Sequence, residues 1–177
     1  FFSAPKNIEE IKEALTWASQ NKHAVTVLGG GSNVLISDKG IRGLTICLKY
    51  FAKINSEVIP ALKSDPSSID ILSIRATAGA SKSELLKIFL KFKLSPALML
   101  AGLPGDIGGG VVMNAGVAEN FSPREFVEIV DWVDVLKADQ TIHRYSKADL
   151  HWSYRHCQGW QPGIIVEVGM SWPMNSD

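Results

Sequence analysis

The sequence lacks an excess of charge of either sign. Its 18 Lys and Arg residues balance 18 Asp and Glu residues, so the formal net charge at pH 7 is zero. Proteins that bind nucleic acid or anionic membranes usually carry a surplus of basic residues. The composition therefore predicts no nucleic-acid partner and no membrane partner, and a ligand would have to be recognised by local groups.

Cysteines and long apolar runs are also scarce. The two cysteines, Cys47 and Cys157, form neither a disulfide framework nor a metal-site spacing, so we expect free thiols, a cytoplasmic location and no metal. No apolar run approaches the length of a transmembrane helix, and no signal peptide is visible. With 46% apolar and 20% charged residues, the chain is typical of a globular protein with one large domain or two small lobes.

Glycine, in contrast, is concentrated in two stretches. The first is Gly29-Gly30-Gly31-Ser32-Asn33, which lies between the apolar runs 24–28 and 44–48. Without Cβ atoms, successive backbone N–H groups can approach a ligand and form a concave anion site, which suits a pyrophosphate. Ser32 and Asn33 add side-chain hydrogen-bond donors. Taken alone, the stretch fits better a glycine-rich turn between two strands.

The second glycine stretch covers residues 101–110 and is followed by Met113-Asn114-Ala115-Gly116. Each of the two stretches has an asparagine just beyond its glycines. This repetition is hard to explain as two unrelated turns and indicates one extended ligand. Asn114 is either a ligand contact or a turn former, and we favour the ligand contact.

The spacing of apolar residues and the positions of capping and turn-forming residues predict an α/β unit followed by an antiparallel sheet. A cap formed by Asn7 and Glu10 predicts the first helix, and Ser81 and Glu84 form a capping box for the second. The predicted elements are a helix from residue 8 to about 21, a buried strand at 24–28, a strand at 44–48, a lobe boundary or hairpin loop at 51–68, a strand at 69–76, a helix stopped by Pro96, a hairpin within 126–145, a helical turn at 146–150 and a strand at 164–172.

Polar side chains are concentrated in residues 153–157, which we expect to form a loop between that helical turn and the last strand. Arg155 is permanently charged and can stabilise negative charge on a carbonyl or a reduced ring. Tyr154 can donate a hydrogen bond or stack. The alternative is a surface arginine beside a packing tyrosine. Nothing in the spacing activates His156 or Cys157 as a base or a nucleophile.

Considered together, the two glycine stretches, residues 113–116 and the pair Tyr154-Arg155 resemble the UDP-N-acetylenolpyruvoylglucosamine reductase family in order and spacing. The resemblance covers nearly the whole chain. It implies an α+β fold, the two-lobed FAD-binding fold of the vanillyl-alcohol oxidase and p-cresol methylhydroxylase type. We place lobe 1 at residues 1–58 and lobe 2 at residues 59–177.

The resemblance also implies a reaction and a set of site residues. NADPH reduces FAD, and the flavin reduces the enolpyruvyl group of a UDP-sugar to give UDP-N-acetylmuramate for peptidoglycan, in a cytoplasmic, monomeric enzyme. Arg155 and Tyr154 are the implied catalytic residues. The implied FAD-binding residues are Leu28, Gly29, Gly30, Gly31, Ser32, Asn33, Val34, Gly102, Pro104, Gly105, Gly108, Gly109, Asn114, Gly116 and Ile165.

Departures from the family leave other functions open. The family's proton-donating serine or cysteine and its late glutamate belong to a third, substrate-binding domain, which this chain lacks, and the chain looks trimmed at both ends. Its short link from Arg155 to Ile164 matches the more compact subgroup, in which a serine usually stands where this chain has Cys157. The alternatives are a flavin-binding module without reductase activity and an FAD-dependent oxidase of the same superfamily.

Overall fold

The computed structural model describes residues 1–65, 67–117 and 122–174 and contains a small parallel sheet near the start of the chain. Its elements are β1 (Phe2–Ser3), α1 (Ile8–Gln20), β2 (Val25–Leu28) and β3 (Leu44–Cys47). Both β1 and β2 pair with β3 in parallel, so the strand order is β1-β3-β2. Asn7 caps α1 as predicted, because its side chain accepts a hydrogen bond from the Glu10 N–H at 2.9 Å.

The sequence predicts a buried strand at residues 24–28, and the prediction of burial is wrong. The strand exists as β2, but Val25 and Val27 are 38% and 42% exposed. The reason is topological, since β2 lies at the edge of the sheet while every residue of β3 between its two neighbours is buried.

Seven further strands follow. They are β4 (Ile54–Ile59), β5 (Ile71–Thr77), β6 (Val130–Leu136), β7 (Ile142–Ser146), β8 (His151–Ser153), β9 (His156–Gln158) and β10 (Ile164–Pro173). Five of them form an antiparallel sheet in the order β4-β5-β10-β6-β7, and β8 and β9 form a separate hairpin. The predicted antiparallel hairpin and the predicted last strand are confirmed as β6, β7 and β10.

The sheets divide the chain earlier than the expected lobe boundary. That boundary, between residues 58 and 59, falls inside β4, which pairs with β5 from Ile54↔Ala76 to Ile59↔Ile71. The change from one sheet to the other therefore occurs between Cys47 and Ile54. The predicted loop at 51–68 is a strand in its first half, and Pro66 in its second half lies outside the described residues.

Between β5 and β6 the chain forms α2 (Lys82–Lys91), α3 (Pro96–Leu100) and α4 (Ile107–Val112). Pro96 was expected to stop a helix, but α2 has already ended at Lys91 and Pro96 begins α3. A proline suits the first turn of a helix because its φ is preset and its missing N–H would have no partner there. The glycines at 108–110 lie in α4 rather than in an open loop.

The two sheets share one core. Buried residues of the first sheet and of the second, among them Ile46 and Val168, belong to the same apolar cluster. Gly79, just after β5, lies so close to the carbonyl oxygens of Leu48 and Phe51 that a Cβ there would overlap both. This contact fixes the segment after β3 against the end of β5. Among the described residues, none of the helices is long and apolar enough to cross a membrane.

Replacement of Ser81 by alanine tests the capping box of α2. Ser81 Oγ accepts from the Glu84 N–H at 3.2 Å, and the Glu84 carboxylate accepts from the Ser81 N–H at 3.2 Å. We expect Ser81→Ala to lower the free energy of unfolding by about 1 kcal/mol in urea denaturation. Ser83→Ala, an exposed position of the same helix, is the control and should leave it unchanged or slightly higher.

Candidate functional site

A cleft of about 510 Å³ lies where the two sheets meet. Its walls come from the first glycine loop after β2, from residues 103–116 around α4, and from the hairpin turn and the start of β10. Two glycine stretches that are about 75 residues apart in sequence thus line one cavity. The expected cofactor-binding residues that line it are Leu28, Gly29, Gly30, Gly31, Ser32, Asn33, Val34, Pro104, Gly108, Gly109, Gly116 and Ile165.

The first glycine loop presents its backbone to this cleft. Gly31 has φ +77°, a conformation that side chains disfavour, and a Cβ there would meet nothing within 4 Å. Cβ atoms on Gly29 and Gly30 would lie 3.2 and 3.1 Å from the carboxylate oxygens of Asp106. The loop is therefore closely packed against Asp106 at Gly29 and Gly30 and open at Gly31.

Some glycines of the second stretch line the cleft, and others shape the loop that borders it. Gly109 lines it, and a Cβ there would meet nothing within 4 Å. Gly102 and Gly105 do not line it. Both have left-handed backbone, with φ of 85° and 90°, and Gly105 packs against Ser32, so the two glycines shape the loop that carries Pro104.

Asn114 does not line the cleft either, and its side chain is fully engaged within the protein. Its Nδ2 donates to Glu125 Oε2 at 3.0 Å and to the Ser153 carbonyl at 3.1 Å. Its Oδ1 accepts from the Val127 N–H at 3.0 Å, and the residue is 1% exposed. These bonds favour the turn-forming alternative over the ligand contact, because no side-chain donor remains to reach a ligand.

The expected loop at 153–157 is a hairpin, in which Tyr154 and Arg155 form the turn between β8 and β9. Arg155 has φ +56° and lines the cleft, and its catalytic role stays a prediction. Tyr154 is 77% exposed and does not line the cleft, although the Arg155 guanidinium lies 4.8 Å from the centre of its ring. Because Asn114 binds the Ser153 carbonyl, the loop after α4 holds this turn in place.

Sequence reasoning missed two charged residues of the cleft, Lys82 and Asp106. Lys82 is 6% exposed, and its Nζ donates to the Pro104 carbonyl at 2.7 Å. Burial lowers the pKa of Lys82, and the charge of Asp106 partly offsets this effect. The signal available in the sequence was weak: a charged residue on the first turn of α2, and an aspartate in the middle of a glycine loop.

The surroundings of the Asp106 carboxyl shift its pKa in opposite directions. Its burial raises its pKa, while the Gly30 N–H, Lys82 and Lys49 act in the other direction, and the net shift is upward. Its Oδ2 is buried and has no hydrogen-bond partner. Although Asp106 is the N-cap residue of α4, its side chain makes no capping bond.

The two cysteines have no chemical role that the structure supports. Both are free and buried, and the expectation of unpaired thiols is confirmed. Burial raises the pKa of the Cys157 thiol to about 11, so it stays protonated at neutral pH and is a poor nucleophile. In residues 1–65, 67–117 and 122–174, no group of three or more His, Cys, Asp or Glu side chains is placed to hold a metal ion.

The sequence is similar to those of known proteins. The sequence matches the FAD binding domain family over residues 1–146, which supports FAD as the cofactor. It is 31% identical over 156 residues to UDP-N-acetylenolpyruvoylglucosamine reductase from Synechococcus and 33% identical over 166 residues to the protein of that name from Treponema denticola. These alignments cover 88% and 93% of this chain but 46% and 48% of those proteins. The chain therefore spans about half the length of the curated relatives it matches.

Solved structures show the same fold. UDP-N-acetylenolpyruvylglucosamine reductase from Thermus caldophilus superposes with a TM-score of 0.69 and 24% identity, over 97% of this chain and 55% of that one. The p-cresol methylhydroxylase structure gives a TM-score of 0.58 and 15% identity, over 97% of this chain and 35% of that one. The chain thus belongs to the FAD binding domain family and has the α+β fold of the vanillyl-alcohol oxidase and p-cresol methylhydroxylase type.

Proposed function

We propose that this chain is the FAD-binding part of a cytoplasmic, monomeric reductase of peptidoglycan synthesis. Its reaction is the NADPH-dependent reduction of the enolpyruvyl group of UDP-N-acetylglucosamine enolpyruvate to UDP-N-acetylmuramate. The observation that carries the proposal is the cleft in which two glycine-rich backbones face each other, with Arg155 in the same lining. The relatives named UDP-N-acetylenolpyruvoylglucosamine reductase support the choice of reaction.

The residues of the cleft fit FAD in both of its chemical parts. The Cβ-free, open side of Gly31 leaves room for the close approach of a pyrophosphate to backbone N–H groups, with Ser32 and Asn33 as additional donors. Apolar side chains, including Val112, Ile164 and Ile165, supply surface for a flat aromatic ring system. When bound, FAD supplies the hydride chemistry, and the protein orients it and tunes its electrostatics.

Arg155 is the cleft residue best suited to the reacting groups. Its guanidinium keeps its charge at every pH of interest and stabilises negative charge that develops on a carbonyl or on a heterocycle. The hairpin turn and the Asn114 bond to Ser153 hold the Arg155 backbone at the edge of the cleft. Tyr154 lies outside the cleft lining, and we assign it the role of packing against the Arg155 guanidinium, which positions that group.

The first test is the visible absorption spectrum of the purified chain, with and without added FAD. Co-purified or titratable flavin bands are expected. The full-length protein, supplied with NADPH and the UDP-sugar enolpyruvate, should then oxidise NADPH beyond one equivalent per flavin only when both the flavin and the sugar nucleotide are present. Flavin binding without any turnover would favour the flavin-binding module, and hydrogen peroxide formed from a reduced organic substrate would favour an oxidase. A protein that ignores FAD overturns the proposal.

Gly109 offers a prediction in which stability and affinity change in opposite directions. It lies inside α4 with ordinary helical backbone, so Gly109→Ala should raise the free energy of unfolding by about 0.5–1 kcal/mol. Its Cβ would project into open space within the cleft lining, so FAD affinity should fall about tenfold through overpacking. Urea denaturation and flavin-fluorescence titration measure the two effects. An unchanged affinity would place FAD away from Gly109.

A further inference from the structure

Asp106 lies directly beside the first glycine loop. Its two carboxylate oxygens are the atoms nearest to the Cβ positions of Gly29 and Gly30, at 3.2 and 3.1 Å. The residue is 9% exposed and forms part of the cleft lining. An acidic side chain therefore stands next to the backbone groups to which we assign the pyrophosphate.

This carboxyl has no strong cationic partner. The ion pairs found among the described residues do not include it, and the Lys82 Nζ is directed to the Pro104 carbonyl. The cationic groups that act on it are Lys82 from α2 and Lys49 from the 3-10 turn after β3, and Arg155 lines the same cleft. The charges of the first two favour the ionised form of Asp106, and burial outweighs them.

A pyrophosphate bound at the loop would favour the neutral form of Asp106 still more. Two like charges about 4 Å apart repel by about 4 kcal/mol at an effective dielectric constant near 20. An ionised Asp106 would also compete with a phosphate oxygen for the Gly30 N–H. The neutral acid avoids both penalties, and its O–H gives the orphaned Oδ2 a hydrogen bond to donate.

We propose that Asp106 holds the FAD pyrophosphate as the neutral acid, donating its carboxyl O–H to a phosphate oxygen, so that FAD binding takes up one proton from solvent. This inference rests on the proposed function. It makes Asp106 a positioning residue that ties cofactor affinity to pH. The proton leaves solvent, bonds to a carboxylate oxygen of Asp106 and stays there while FAD is bound.

The direction of the pH effect follows from the linkage of binding and protonation. A group that must be protonated in the complex weakens binding as pH rises above its pKa in the free protein. The dissociation constant of FAD should therefore increase by up to about tenfold for each pH unit above that pKa. The FAD pyrophosphate and the flavin contribute no titration between about pH 5.5 and 8.5, so the dependence reports on the protein.

The experiment is isothermal titration of the chain with FAD between about pH 5.5 and 8.5, in buffers of different ionisation enthalpy. The wild type is expected to take up as much as one proton per FAD and to bind more weakly at higher pH. Asp106→Asn mimics the neutral acid, so it should bind FAD with little pH dependence and without that proton. Asp139→Asn removes the same charge from the exposed turn between β6 and β7 and should behave as the wild type.

Each outcome of the titration either supports the proposal for Asp106 or overturns it. Proton uptake by the wild type and by Asp139→Asn, but not by Asp106→Asn, supports the proposal. FAD binding by the wild type without proton uptake at any pH overturns it and leaves the proposed function standing. Proton uptake that persists in Asp106→Asn also overturns it, because another group then titrates. Absence of FAD binding at every pH overturns the proposed function as well.

Discussion

Replacement of Gly30 by valine should weaken FAD binding at least about a hundredfold and leave the fold intact. The Gly30 backbone is not left-handed, so a valine can adopt it without strain. Its Cβ, however, would lie 3.1 Å from Asp106 Oδ1, and its two methyl groups would occupy the close approach to the loop. Losing two charge-assisted bonds of about 1.5 kcal/mol or more each accounts for this factor.

Thr26→Val is the matched control for Gly30→Val, since it adds a valine to β2, just before the loop and outside the cleft lining. Flavin fluorescence gives the dissociation constants, and thermal unfolding verifies the fold of both variants. If Gly30→Val binds FAD within about threefold of the control, the pyrophosphate does not lie at this loop.

The parts of the site that the sequence predicts are those encoded by short segments. Gly29, Gly30 and Gly31 follow an apolar strand, and this local arrangement alone predicts an exposed backbone. The capping box at Ser81 and Glu84 needs only four neighbouring residues, and it forms as expected. Resemblance in the order of several such motifs then supplied the fold, which the solved structures confirm.

The parts that the sequence did not predict depend on contacts between distant segments. Asp106 becomes a site residue only because α4 packs behind a loop that lies more than 70 positions earlier in the chain. Asn114 has the same local context as a ligand-binding asparagine, but Glu125, Val127 and Ser153 occupy its side chain. The exposure of β2 likewise depends on which strand takes the centre of the sheet, which residues 24–28 do not encode.

Gly30 and Asp106 belong to one unit, so their effects should not be additive. A larger side chain at residue 30 pushes against the carboxyl that we assign to the pyrophosphate. Neighbouring substitutions that share a partner typically deviate from additivity by 0.5 kcal/mol or more, so about that coupling is expected in the double variant. In our proposal the pair links the anion site on the backbone to the side chain whose protonation makes FAD binding depend on pH.

Loss of the Arg155 side chain should reduce turnover of the full-length protein about 100- to 1,000-fold while FAD stays bound. Arg155→Ala removes the one arginine of the cleft lining within the described residues, and with it the charge that we propose stabilises the reacting group. The flavin spectrum and the FAD dissociation constant should change little, because we assign the pyrophosphate to the glycine loops and not to Arg155. Steady-state oxidation of NADPH measures the loss.

A glycine variant at residue 155 distinguishes a loss of catalysis from a loss of folding. Because Arg155 has φ +56°, Arg155→Gly should relieve about 1 kcal/mol of strain and raise the stability of the turn, yet it should be as inactive as Arg155→Ala. Arg155→Lys keeps the positive charge and should recover part of the turnover rate. Arg42 is exposed, and Arg42→Ala, the control, should keep the full turnover rate. Tyr154→Ala should cost only about threefold, since Tyr154 acts through the guanidinium it packs against. Normal turnover in the stabilised Arg155→Gly protein would exclude Arg155 from the chemistry and return it to the role of a surface turn residue.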